Sequence, residues 1–453
     1  MREPGKFLTG SLMRHVTVMS LSGTLGLGFT FLVDFLALWW ISQLRQEKLI
    51  AAVGIAGTLQ FAVISVAIGM MIGAVALVSR ALGQGDKARA RRIAATAMVL
   101  TFLAQSTVAF LAFLFRRQLL AATGAEGEVL EESVRFLAIS LPSLPLIAVG
   151  MTGSAILRAM GDAWRSAAVT VTGGILAAML DPVLILWMGW GIEGAALSIV
   201  LSRAAMAAAG LWFVMVTHDM LARPAAEDVR LFARPYFGIA IPAIATQLST
   251  PFGNWILTRA MAEHGESAVA GWGVVLRLTI LAFGGIFALS GAIGGIIGQN
   301  WGAGRADRVE GAFVAALKYC AVYTLAVWAL MAALSGPISD SFGLSDQGAG
   351  VVRAFTHYAA GAFIFTGALF VANATFNNLG RPLWSTAATW MRDGLLMVPL
   401  AYAMGAAAGE VGVVWAQAVA NVAAGTIAAV LAWRYIGTLR RRHGSGAAPV
   451  AGE

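Results

Sequence analysis

Long apolar stretches separated by short polar segments run through the whole chain. Leu100–Phe115, Ala167–Leu180 and Ile280–Ile297 are typical examples. A helix needs roughly 20 mostly apolar residues to cross a bilayer, and the pattern predicts twelve such helices. Their predicted ranges are residues 14–40, 50–78, 93–115, 132–157, 166–188, 192–216, 236–260, 268–297, 313–336, 351–379, 385–407 and 412–436. The chain is therefore predicted to be an all-α integral membrane protein.

The second half of the chain repeats features of the first half at a constant offset. Each half places a pair of glycines after a long apolar stretch and before a basic segment. The matching positions, each 219 residues apart, are Gly83 and Gly302, Gly85 and Gly304, and Gly161 and Gly380. Two copies of one hydrophobic module in a membrane usually enclose a transport site where they meet.

This repeat predicts two lobes of six helices each. Residues 1–220 are expected to form the amino-terminal lobe and residues 221–440 the carboxyl-terminal lobe, because His218–Pro235 is the most polar linker. Residues 441–453 are rich in glycine and alanine and are predicted to be a disordered cytoplasmic tail. The first apolar run is too long for a cleavable signal peptide.

Charge is scarce and unevenly distributed along the chain. Only 12% of the residues are charged and 59% are hydrophobic, whereas about 25% of the residues in a soluble protein are charged. Predicted loops on one side of the membrane hold 20 of the 31 Lys and Arg residues. Because positive residues stay in the cytoplasm, both termini are predicted to be inside. We expect a monomer in the plasma (inner) membrane of a bacterium or archaeon.

The net charge of +8 could indicate binding to nucleic acid. The basic residues, however, lie mainly in short predicted loops, where they orient helices and contact anionic lipid. Membrane lipid is therefore the expected partner of these residues, and nucleic-acid binding is not expected.

Two acidic residues lie inside predicted spans of the first lobe. Asp34 lies about twenty residues into the first predicted helix, and Asp181 lies in the outer half of the fifth, directly before Pro182. An ionised carboxylate in mid-membrane costs roughly 2.5–3.5 kcal/mol on insertion scales. Burial and a second nearby carboxylate both penalise the charged form, so such a pair can take up and release a proton. The alternatives are a structural acid at Asp34 and a residue that shapes the proline break at Asp181.

Several other residues are candidates for a transport cavity. The side chains that could line it are Phe31, Phe61, Met151, Arg277 and Asn373. Aromatic and methionine side chains at helical spacing also serve as ordinary core or lipid-facing residues, and Arg277 could pair with an acid.

Glycines could let the first helix bend. Gly23, Gly26 and Gly28 precede Asp34 in that helix, and close packing of helices is the other use of such residues.

The remaining membrane charges are given structural interpretations. Arg392 and Asp393 are adjacent in sequence, and neighbours do not face each other on a helix, so each is expected to find a separate partner. Arg203 is expected to lie near a helix end, with its guanidinium reaching toward the interface.

Enzyme signatures are absent from the sequence. It contains no Walker-type loop, and its five histidines are scattered without the spacing of metal ligands. The single cysteine, Cys320, excludes an intramolecular disulfide and a thiolate cluster. We therefore expect no enzyme activity, no metal site and no cofactor.

The chain resembles the multidrug and toxic compound extrusion (MATE) transporters, especially their DinF-like branch, over nearly its whole length. Each motif is modest alone, but their order and spacing are specific. The motifs that carry the resemblance are Val33-Asp34, Leu157–Asp162, Asp181–Ile185, Gly191–Ala196, Val275–Leu278 and Gly298–Arg308.

The resemblance implies two six-helix lobes around a central cleft that opens alternately to each side of the membrane. It implies cation-driven antiport of amphipathic, often cationic, small molecules. In the DinF-like branch the acids that correspond to Asp34 and Asp181 form the coupling site, and their protonation is proposed to bend the first helix.

Departures from the family pattern bear on the coupling ion. The usual Asn before the acid of helix 5 is Ala177, the Thr of helix 6 is Ile199, and the Pro early in helix 1 is Met19. The acids of the sodium-driven NorM-like branch correspond to Thr250 and Ala368. Sodium needs several hard oxygen ligands, so these replacements favour protons over sodium.

The predicted function is therefore proton-driven export of amphipathic small molecules. A lipid-linked sugar flippase, a narrow metabolite exporter of the same superfamily and a sodium-coupled drug exporter are the alternatives. A flippase usually needs a more cationic cavity, and here only Arg277 and Arg392 are candidates for one.

Overall fold

The computed structural model describes residues 5–44 and 46–444, and all regular secondary structure in these residues is helical. The helices of the first half are α1 (Leu12–Ser42), α2 (Glu47–Gly83), α3 (Lys87–Leu114), α4 (Arg116–Ala122), α5 (Gly127–Ser140), α6 (Leu144–Met160), α7 (Ala163–Asp181) and α8 (Gly191–Trp212). Those of the second half are α9 (Ala226–Ala262), α10 (Glu266–Ala282), α11 (Gly284–Gly302), α12 (Ala306–Ala333), α13 (Ser335–Ser341), α14 (Asp346–His357), α15 (Phe363–Asn378), α16 (Pro382–Trp390) and α17 (Met397–Gly444).

Each of the twelve predicted spans coincides with helix in the described residues. Nine helical stretches there are long and apolar enough to cross a membrane, and the pair α10 and α11, bent by 46°, forms one more. One of the nine, Pro382–Arg442, is interrupted within α17 at Ala408 and Gly409, which divides it into two spans. Gly409 has φ 63° and ψ −150°, a conformation that is open essentially to glycine alone. The remaining span is α9, which is 37 residues long but more polar than the others.

The predicted disordered tail is corrected at its start. Helix α17 continues through Gly444, so residues 441–444 extend the last span as helix. Residues 445–453 of that predicted tail lie outside the described residues.

The chain divides into two compact units. The first unit contains Leu25–Ala81 and Asp86–Ile244, and the second contains the described residues of Met1–Thr24, Leu82–Gly85 and Ala245–Glu453. The division therefore falls inside α1 and inside α9, whereas the sequence predicted it between residues 220 and 221. The two division points are 220 residues apart, so both fall at nearly equivalent positions of the repeat.

The early part of α9 belongs to the first unit because its side chains pack there. Tyr236 is buried, its hydroxyl donates to the carbonyl of Met70 at 2.8 Å, and it lies 2.8 Å from Thr101 Oγ1. Ile244 contacts Gly69 so closely that a Cβ there would meet its backbone nitrogen at 2.6 Å. These contacts explain why a polar linker in the sequence does not mark the structural boundary.

Small residues let helices of the first unit approach closely. A Cβ added to Gly153 of α6 would lie 2.9 Å from the Cα of Gly210 on α8, and one added to Gly150 would lie 3.0 Å from the backbone of Met206. Helix association in membranes depends on this kind of packing, because lipid is as apolar as the protein core.

In the second unit, the amino-terminal segment is anchored on α11. Phe7, in a 3-10 turn at Lys6–Leu8, is almost completely buried, and its N–H donates to Gln299 Oε1 at 3.0 Å. Its carbonyl accepts from Arg308 Nη2 at 2.9 Å and from Asn300 Nδ2 at 3.3 Å. The Gly298–Arg308 motif therefore receives the segment that precedes α1.

Phe7→Ala is expected to destabilise the second unit by about 3 kcal/mol, the usual cost of removing a buried aromatic side chain. Unfolding can be followed in detergent by the reaction of a thiol-specific fluorophore with Cys320, which is buried in the same unit. Phe342→Ala, at an exposed phenylalanine of this unit, is the matched control and should leave the midpoint unchanged. Equal midpoints for both variants would contradict the anchoring role.

Candidate functional site

Asp34 lies in the part of α1 that belongs to the first unit. Its side chain is exposed although Val33 beside it is buried. A charged group inside a span is costly against lipid, so an exposed aspartate there indicates a water-accessible surface. The carboxylate interacts electrostatically with Asp181 of α7 and Arg203 of α8. The structure therefore brings both sequence-predicted acids into one unit, within electrostatic reach of each other.

Asp181 is the last residue of α7 and is almost fully buried, with 2% of its surface exposed. It precedes a π-helical turn at Pro182–Trp187, because Pro182 lacks the N–H that would continue regular α-helical bonding. Such turns are frequent at functional sites. Ser198 of α8 lies beside the carboxylate, yet neither Asp181 Oδ2 nor Ser198 Oγ has a hydrogen-bond partner. A buried carboxyl with so few donors is poorly compensated when ionised.

The surroundings of Asp181 offer few ligands to a metal ion. Ala177, one turn earlier on α7, is buried, and Ile199 of α8 is half-buried. Neither side chain carries an oxygen. Within residues 5–44 and 46–444, no group of three or more His, Cys, Asp or Glu side chains could hold a metal ion.

Arg203 corrects a prediction from the sequence. It lies in the middle of α8 rather than near a helix end, and it is buried. Its guanidinium donates to the carbonyl of Ser140 at 2.9 Å, to Ser143 Oγ at 2.8 Å and to Gln60 Oε1. The break between α5 and α6 at the 3-10 turn Leu141–Ser143 makes the Ser140 carbonyl available. The prediction that Arg203 reaches the interface was therefore wrong.

The adjacent charges of the second unit correct another prediction. Arg392 and Asp393 do not find separate partners but bind each other through two hydrogen bonds, Nε to Oδ1 at 2.7 Å and Nη2 to Oδ2 at 2.9 Å. They lie in a π-helical turn at Met391–Leu396, which changes the directions of successive side chains, and the long arginine stem folds back. Both side chains are buried. Gly253 of α9 lies alongside, since a Cβ there would be 3.0 Å from Asp393 Oδ1.

Asp393→Asn is expected to lower the stability of the second unit by about 3 kcal/mol or more, because it leaves the Arg392 charge buried without a counterion. The double variant Arg392→Met/Asp393→Leu removes both charges and should cost much less. Thermal unfolding reported by Cys320 compares the two. A double variant as unstable as the single variant would show that the pair does not act through its charge.

The candidate cavity residues of the first unit differ in exposure. Phe61 of α2 is exposed, whereas Phe31 of α1 and Met151 of α6 are half-buried. Arg277, in α10 of the second unit, is exposed. An exposed guanidinium inside a span must face water rather than lipid, so Arg277 marks a water-accessible surface of that unit.

Asn373 has a different environment. It is buried in α15, its Nδ2 donates to Thr389 Oγ1 of α16 at 3.0 Å, and its carbonyl accepts from Ser385 Oγ at 3.0 Å. These bonds join α15 to α16 in the second unit.

The three glycines of α1 are not equivalent. A Cβ on Gly23 would lie 2.9 Å from Ala288 Cβ, so this residue permits close packing on α11 in the second unit. Gly26 has only ordinary contacts with Ala167, and Gly28 has open space around it. The division between the units falls between Gly23 and Gly26. Helix α1 is continuous from Leu12 to Ser42, and bending at these glycines stays a prediction.

A repeated helical membrane fold that carries an acid pair inside its spans is the architecture of a secondary transporter. The chain belongs to the MatE family, whose model matches residues 25–183 and 242–403. Members of this family are membrane transporters rather than enzymes.

Relatives and solved structures agree with this assignment. The chain is 27% identical to an FAD transporter of Shewanella oneidensis, over 96% of this chain and 97% of that protein. It is 23% identical to the multidrug export protein MepA of Staphylococcus aureus, over 90% of each chain. A multidrug resistance MATE family transporter of the MOP superfamily, solved in an outward-facing conformation, matches with a TM-score of 0.90 at 23% identity, over 97% of this chain and 99% of the other.

Proposed function

We propose that this protein is an antiporter that exports amphipathic, often cationic, small molecules in exchange for protons by alternating access. The observation that carries the proposal is the pair of acids in the first unit, with Asp34 on a water-accessible surface and Asp181 buried. The similarity to a multidrug export protein supports the substrate class.

The charges of the first unit suggest how exchange works. With both acids ionised, Asp34, Asp181 and Arg203 carry a net charge of −1, which attracts a cationic substrate. Uptake of one proton makes the set neutral and removes that attraction. Proton and cation therefore compete for the same negative charge, and this competition is the requirement for antiport.

Protons are favoured over sodium by the ligands available. A sodium ion needs several oxygen ligands, but Ala177 and Ile199 supply none beside Asp181. In the second unit, Ala368 likewise supplies none, and Thr250 offers a hydroxyl rather than a carboxylate. The uneven distribution of Lys and Arg supports an orientation with both termini in the cytoplasm.

Transport in inside-out membrane vesicles tests the proposal. An acid-inside pH gradient is expected to drive ethidium into the vesicles without sodium, because the lumen corresponds to the outside of the cell. A sodium gradient alone should drive none. Uptake that requires sodium, or no ethidium uptake under any gradient, would contradict the proposal.

A second candidate is export of a flavin nucleotide. It is supported by the similarity to a protein named as an FAD transporter and by the exposed Arg277, which could contact a phosphate group. FAD uptake into the same vesicles, inhibited by excess unlabelled FAD and not by ethidium, would favour this substrate over a cationic one.

A further inference from the structure

We propose that Arg203 is a positioning residue that sets the pH range in which Asp34 exchanges its proton. This inference rests on the proposed proton-coupled function and extends it to a residue outside the predicted coupling pair.

The first step is the state of the Arg203 charge. All three of its hydrogen-bond partners, the Ser140 carbonyl, Ser143 Oγ and Gln60 Oε1, are neutral. Among the described residues, no carboxylate lies within ion-pair distance of its guanidinium. The hydrogen bonds fix the position of the guanidinium but leave its charge uncompensated. A buried charge without a counterion is costly, so its presence inside a span indicates a use.

The second step is the effect of this charge on Asp34. The charged groups that act on Asp34 in the described residues are Asp181 from α7 and Arg203 from α8. They act in opposite directions, because Asp181 disfavours the ionised form of Asp34 and Arg203 favours it. Arginine keeps its charge at every physiological pH, so it supplies a constant field while the two acids change protonation.

The third step is the rigidity of the arrangement. Gln60 belongs to α2, and Ser140 and Ser143 lie where α5 gives way to α6, so three separate segments hold the guanidinium in place. Gln60 is itself held, since its Nε2 donates to Ser140 Oγ at 2.9 Å. Arg203 therefore has a fixed position in the first unit, and its effect on Asp34 changes only if Asp34 moves on α1.

The test is the pH dependence of ethidium binding to purified protein in detergent, measured by fluorescence polarisation. Binding is expected to be lost as pH falls, because protonated Asp34 no longer attracts the cation. In Arg203→Gln the ionised form of Asp34 loses its favourable neighbour, so the midpoint should move to higher pH by about one unit. Arg203→Lys keeps the charge and should keep a midpoint near that of the wild type.

Two further variants separate charge from structure. Gln60→Ala removes one hydrogen bond to Arg203 but no charge, so the midpoint should not move even if stability falls. Gln60→Glu places a carboxylate against Arg203 and neutralises it, so the midpoint should rise as in Arg203→Gln. This variant decides the question if Arg203→Gln does not fold.

The outcomes distinguish this inference from the proposed function. A pH-dependent wild type, a pH-independent Asp34→Asn variant and unchanged midpoints in Arg203→Gln and Gln60→Glu would overturn the role of Arg203 alone. Equal shifts in Arg203→Lys, Arg203→Gln and Gln60→Ala would also overturn it, since they would indicate a structural effect. Wild-type binding that does not depend on pH would overturn the proton-coupled function itself.

Discussion

Asp34→Asn is expected to reduce ethidium transport driven by a pH gradient to the level of vesicles that lack the protein. An amide has nearly the shape of the carboxyl group but cannot take up a proton, so the gradient no longer does work on the substrate. Transport is measured in inside-out vesicles with an imposed pH gradient and matched amounts of folded protein.

Asp340→Asn is the matched control for this variant. Asp340 is an exposed aspartate in α13, outside the first unit, and its replacement should leave driven transport unchanged. Full activity in a well-expressed Asp34→Asn protein would show that Asp34 is not the coupling acid.

Gly83→Ala is expected to prevent correct folding of the second unit. Gly83 ends α2, and a Cβ there would lie 2.0 Å from the carbonyl oxygen of Gln299 and 2.9 Å from its Cα. Both contacts are with backbone, which cannot rotate away, so the cost should lie at or above the upper end of the roughly 1–3 kcal/mol typical of overpacking. The yield of monodisperse protein on size-exclusion chromatography and the unfolding midpoint reported by Cys320 measure the effect.

Gly54→Ala, on the same helix, is the matched control. No atom lies within 4 Å of the position that its Cβ would take, so this variant should fold normally. It could gain up to about 1 kcal/mol from the higher helix propensity of alanine. Normal yield and midpoint in Gly83→Ala would contradict the close contact between the ends of α2 and α11.

The positions of the spans follow from sequence because membrane solvation imposes a strong and regular constraint. Each span must be long, helical and mostly apolar, so the twelve predicted ranges coincide with helix even where α9 is more polar than the rest. The constant offset of 219 residues likewise indicated two related halves. Asp34 and Asp181 could be recognised because an acid inside an apolar helix is rare.

Contacts between distant segments could not be read from one sequence. The burial of Arg203 depends on Gln60 and on the turn after Ser140, which lie 143 and 63 residues away along the chain. Polar residues at positions 60, 140 and 143 within apolar helices were the available signal. Their meeting point is a result of folding.

Local departures from regular helix limited the prediction in another way. The pairing of Arg392 with Asp393 depends on a π-helical turn, whereas the sequence argument assumed regular α-helix. The division of the units inside α1 and α9 had no signal in the hydropathy pattern, because a helix that changes its packing partners along its length stays uniformly apolar.

Proton release on substrate binding is the most direct test of proton-coupled antiport. Purified protein in weakly buffered, sodium-free detergent solution would be mixed with ethidium near the pH midpoint of binding, and released protons would be counted with a pH indicator. The wild type is expected to release up to one proton for each ethidium bound, and Asp34→Asn is expected to release none. Ethidium binding by the wild type without proton release would contradict the account.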